Sequence, residues 1–77
     1  MLAVKVRVNS ISRLKKFLSI VDKQKFKMWA KDDALRVPLD RTIAFFSLDL
    51  KNPITIETDD TSEEAKIVFD ELSESLG

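Results

Sequence analysis

The chain has 77 residues and a formal net charge of zero, with thirteen Lys and Arg against thirteen Asp and Glu. That length makes a single small domain, residues 1–77, which buries only about 60% of its unfolded surface and has no room to enclose a large cofactor. Cys and His are both absent, which excludes a disulfide framework, a thiolate metal site, the usual neutral-pH general base and the commonest metal ligand.

Leu2, Val4, Val6 and Val8 alternate with Ala3, Lys5 and Arg7, the period-two pattern of a half-buried strand. Asn9-Ser10-Ile11-Ser12 breaks the alternation and offers side-chain oxygens for a helix N-cap. Leu14, Phe17, Leu18 and Val21 then recur at the spacing of one apolar helical stripe, with Lys15, Lys16, Asp22 and Lys23 on its wet side. Phe26, Met28 and Ala30, separated by Lys27 and Trp29, predict a second strand. Asp32-Asp33 predicts a turn, and Leu35, Val37 and Leu39 the inner face of a third strand. Pro38 lies within that strand and lacks an N–H, which places it at a sheet edge.

Asp40 is an N-cap for a short middle helix over about residues 41–48. Phe45 and Leu48 share one face of it, and Ile43 and Phe46 share another about 100° round. Asn52-Pro53 marks a turn, and Ile54 and Ile56, alternating with Thr55 and Glu57, predict a fourth strand. Thr61-Ser62-Glu63-Glu64 reads as a capping box. Ala65, Val68, Phe69, Leu72 and Leu76 follow as the stripe of a last helix. The order βαββαβα, with strands apolar on one side only, implies a two-layer α+β domain. Its open sheet face is expected to expose Lys5, Arg7, Lys27, Thr55 and Glu57 together with Trp29, whose ring either lies over the stems of Lys27 and Lys31 or marks a second contact.

Charge is unevenly distributed along the chain. Residues 1–31 hold nine Lys and Arg against Asp22 alone, whereas residues 32–77 hold four against twelve Asp and Glu. A basic face for a polyanion is therefore an alternative reading. Against nucleic acid stand the missing zinc knuckle and glycine-rich motif, and the single aromatic expected on the surface. Asp59, Asp60, Glu63 and Glu64 lack the spacing and Gly of a calcium loop, and acids near a helix start complement its dipole. Met1-Leu2-Ala3-Val4-Lys5 meets charge too early for a signal peptide, and no apolar run approaches the roughly 18 residues of a membrane span. A cytoplasmic location is expected, with no membrane contact.

Several of these segments resemble the histidine-containing phosphocarrier family of the sugar phosphotransferase system, HPr. They are Val4-Lys5-Val6-Arg7-Val8-Asn9, Lys25-Phe26-Lys27-Met28-Trp29, Val37, Ser47-Leu48, Ile54-Thr55-Ile56 and Glu63-Glu64-Ala65. They occur in the family's order and span essentially the whole chain. The resemblance implies an HPr-like open-faced sandwich, a four-stranded antiparallel sheet covered by three helices, in a bacterial protein. The family's loop of Gly-Leu-His-Ala-Arg-Pro type corresponds to Asn9-Ser10-Ile11-Ser12-Arg13, about two residues shorter, and the phosphorylated histidine falls near Ser12. A serine ester is too inert to pass a phosphoryl group on, so Ser10, Ile11 and Ser12 mark a lost phosphorylation site and no enzymatic activity is expected. The family's regulatory Ser falls on Arg41.

The resemblance also places Ile43 and Phe46 where the family exposes an apolar docking patch, although they are equally consistent with burial against the first helix. With Arg13, Lys15, Lys16 and Arg41 as a charged rim, the expectation is a non-catalytic binding module that needs no cofactor. Its partner would be a protein: a phosphotransferase enzyme, a kinase or a transcription regulator. The module itself would be a monomer or a weak homodimer.

Overall fold

A computed structural model describes residues 1–39 and 48–77. Over these residues the order is β1 (Leu2–Val6), α1 (Ile11–Val21), β2 (Trp29–Lys31), β3 (Arg36–Pro38), β4 (Ile54–Thr58) and α2 (Glu63–Leu76). The middle helix expected over 41–48 lies outside the described residues apart from Leu48.

The strands form one antiparallel sheet in the order β1-β4-β2-β3. Val4 faces Ile56 and Ala30 faces both Ile56 and Val37, so the inward rows of all four strands align. Val6, Ala30, Ile54 and Ile56 are wholly buried, and Phe17, Ile20, Val68, Phe69, Leu72 and Leu76 from the two helices complete the same core. This is an α+β fold with both helices feeding one face of a four-stranded sheet.

Local chemistry explains the element ends. Ser10 has extended backbone and its Oγ accepts the Arg13 N–H at 3.2 Å, capping α1 as expected. The last-helix stripe is buried at all five expected positions. β3 is an edge strand, as Pro38 requires.

Three expectations are corrected. The cap of α2 is Ser62, whose Oγ accepts the Ala65 N–H at 3.3 Å, rather than Thr61 one residue earlier. The Asp60 carboxylate accepts the Ser62 N–H at 2.8 Å and so sets where the helix begins. Leu35 is 47% exposed and precedes β3 instead of lining its inner face. Asp32 is the cause: its N–H donates to the Leu35 carbonyl and its Oδ1 accepts from Ala34 and Leu35, both at 2.7 Å, which closes a turn that ends at Leu35. Glu57, expected to be wet, retains only 7% of its exposure.

Candidate functional site

The first turn of α1 and the segment Leu48–Lys51 face each other across an open groove of about 770 Å³. Ile11, Leu14, Leu48 and Leu50 supply its apolar wall, and Ser10 and Lys51 stand at its polar margin. Leu48 is buried and Leu14 and Leu50 are half-buried, while Ile11 is 74% exposed. An isoleucine left in water forgoes roughly 1.5–3 kcal/mol of burial, a large concession in a domain this small.

The helix end beside Ile11 is electropositive. No acid lies in the first turn of α1, so the partial positive charge of its N-terminus is uncompensated locally. Lys15 and Lys16 follow, both exposed. By contrast, α2 begins with Glu63 and Glu64, which oppose its dipole. Ser12 is exposed on the same turn as Ile11. Ser10, Ile11, Ser12, Lys15 and Lys16 thus follow one another, all exposed, from the N-cap along the start of α1, and of these Ser10 and Ile11 line the groove. Ile43, Phe46 and Arg41 lie outside the described residues.

Arg13, expected on the rim with the lysines, is instead tied to the backbone. Its Nε donates to the Arg7 carbonyl at 2.8 Å and its Nη2 to the Leu76 carbonyl at 2.9 Å. Leu76 ends α2, where a carbonyl has no partner within the helix, and it also accepts the Arg7 N–H at 2.7 Å. One guanidinium therefore joins the exit of β1, the start of α1 and the end of α2.

A second constellation sits on the open face of the sheet. The Glu57 Oε1 accepts from Arg36 Nε at 3.1 Å, and its Oε2 lies 3.4 Å from Lys31 Nζ. Arg36 belongs to β3 and Glu57 to β4, with β2 between them. To reach Glu57 the guanidinium crosses the Trp29 ring, 4.6 Å from its centroid. Arg36 is thus a cation over the indole, in addition to the Lys27 and Lys31 stems that the sequence suggested. Its hydrogen bond, followed by that of Lys31, holds the Glu57 carboxyl below the usual carboxylate range, although burial pushes the other way.

No helix among the described residues is long and apolar enough to cross a membrane. Among the same residues no group of three or more Asp or Glu is placed to hold a metal ion. No protein-family model matches the chain, and no match is found among curated proteins or solved structures.

Proposed function

We propose that the chain is a non-catalytic docking module of HPr-like layout, βαββαβα, with a third helix ending ahead of Leu48, which is itself in a bend. In this reading it binds a protein partner of the phosphotransferase kind and never carries phosphate. One observation carries the proposal: Ile11 stands 74% exposed at the mouth of an apolar groove, on the stretch that the sequence resemblance aligns with a phosphorylated loop. Exposed apolar groups ringed by charge are the ordinary anatomy of a contact surface. Here Lys51 and Asp49 line the groove and Lys15 and Lys16 follow along α1, all exposed; the basic excess favours an acidic partner surface and speeds encounter more than it tightens the complex.

The chain contains no imidazole, and a phosphoserine formed near Ser12 would be a stable ester. The module therefore occupies a docking site and blocks it. The sequence resemblance assigns Ile43 and Phe46 to the apolar anchor and Arg41 to its charged rim, all three outside the described residues.

Competition tests the proposal directly. The chain is added to a reaction in which a phosphotransferase enzyme phosphorylates an authentic His-bearing phosphocarrier. The expected result is inhibition that excess phosphocarrier overcomes, with no label in the chain itself. Ile11→Asp, and separately the Ile43→Asp/Phe46→Asp double variant, should each weaken inhibition about tenfold or more, equivalent to about 1.4 kcal/mol, with circular dichroism unchanged. Absence of inhibition by a folded wild-type chain would overturn the phosphotransferase reading. Undiminished inhibition by both variants would overturn the placement of the surface.

A further inference from the structure

The sheet face turned away from the helices carries an arrangement that the docking groove does not use. The register sets Lys5 of β1 opposite Thr55 of β4, Thr55 opposite Lys31 of β2, and Lys31 opposite Arg36 of β3. These four residues form one row across the whole sheet. At about 4.8 Å between neighbouring strands the row runs roughly 15 Å, with cations at three of its four places. Lys5, Lys31 and Arg36 are exposed and Thr55 is half-buried. The adjacent row reads Ala3, Glu57, Trp29, Pro38. Glu57 is the acid in these two rows, and its carboxylate is shared between Lys31 and Arg36.

Two flat π surfaces lie beside the cations. Trp29 is half-buried, and the Arg36 guanidinium lies over its ring, 4.6 Å from the centroid, while its Nε donates to Glu57. A run of acids such as polyglutamate would use the cations and bring no ring to lay on these planes. A duplex keeps its base faces stacked inside, so it offers phosphates to the cations but no free π face to the indole. Unpaired bases stack on aromatic rings and guanidinium planes while their phosphates meet cations, and a strand-built platform suits that mode.

We propose that the open face, through the Lys5–Lys31–Arg36 row and the Trp29–Arg36 stack, binds single-stranded nucleic acid without strong sequence preference. The helix-side groove is a separate surface, and the two act independently.

Trp29 is the only tryptophan and the chain has no tyrosine, so intrinsic fluorescence reports this face alone. The probe is an oligothymidylate of about twelve nucleotides, a length within the usual range of single-strand sites. The expected result is saturable quenching at low salt. Log affinity should fall with log salt at a slope of about −2, as about 0.7 per phosphate predicts for three contacts on a single strand. Lys5→Gln, which removes an exposed cation outside the Lys31–Glu57–Arg36 ion pairs, should lower affinity severalfold and bring the slope to about −1.4. The Lys15→Gln/Lys16→Gln variant should behave as wild type. Absence of saturable quenching overturns the proposal, as does loss of binding in the helix variant. Equal quenching by polyglutamate at matched charge also overturns it, and would assign the face to an acidic protein segment.

Discussion

Arg13 and Lys15 lie two positions apart on α1 and serve different ends. Lys15 ends in solvent, whereas Arg13 donates to the Arg7 and Leu76 carbonyls. Hydrogen bonds from a charged donor are worth more than neutral ones, and losing the donor leaves helix-end carbonyls to find water. Arg13→Ala should therefore cost about 1–2 kcal/mol in urea unfolding, while Lys15→Ala and Lys16→Ala should stay within about 0.5 kcal/mol of wild type. Equal, negligible effects at all three positions would return Arg13 to the surface rim. The distinction was not legible in the sequence. Leu76 lies 63 positions from Arg13, and nothing local to the first helix marks one cation of three as a staple. Glu57 was hidden for the same reason: Arg36 is 21 residues away, and the cation that covers Trp29 is known only once the register is.

At the scale of the element, legibility was much better. The buried stripe of the last helix was readable to the residue because a 3.6-residue period over fourteen residues leaves a single face to bury. β3 was readable as an edge from Pro38 alone. Helix starts were readable to within one position. Thr61 and Ser62 are both chemically able to cap, and the Asp60 carboxylate on the Ser62 N–H decides between them. Ser62→Ala should accordingly lower stability by about 1 kcal/mol, and Thr61→Ala by much less, as judged by thermal or urea midpoints. The reverse order would restore the capping box beginning at Thr61. The strand boundaries were the least legible, because alternation continues through Leu35 while the Asp32 side chain has already closed the turn.

For the molecule as a whole, three carboxylates link folding to pH. Asp32 is held below its ordinary range by the amides of Asp49, Leu35 and Ala34; Glu57 by Arg36 and Lys31; and Asp60 by the hydroxyl and N–H of Ser62. A depressed carboxyl contributes stability that is fully present above its unfolded value and lost as pH falls through its folded value. The unfolded references are 3.8 for Asp and 4.5 for Glu. With no histidine in the chain, unfolding midpoints should be nearly level between about pH 5.5 and 7 and fall steeply below about pH 4.5. Glu57→Gln should shallow the upper part of that fall. A histidine-like inflection near pH 6 would contradict this assignment of the acid limb. Asp32 also acts across the fold, since its Oδ2 accepts the Asp49 N–H at 2.9 Å and ties the β2–β3 turn to the segment that leads into β4.

The strand order has a further consequence for how the chain comes off the ribosome. β4 lies between β1 and β2, yet it is the last strand to be made. Among the described strands, a nascent chain that ends before Ile54 can pair only β2 with β3. β1 waits with its edge unfilled while some fifty residues follow it. Closing that long loop makes the nucleus non-local and slow relative to a helical bundle, and an unpaired apolar strand is the state most prone to sticking to its neighbours. Synthesis of this domain thus ends in one late, concerted closure, and a translational pause ahead of Ile54 would lengthen the interval in which β1 is open to chaperones and to other nascent copies.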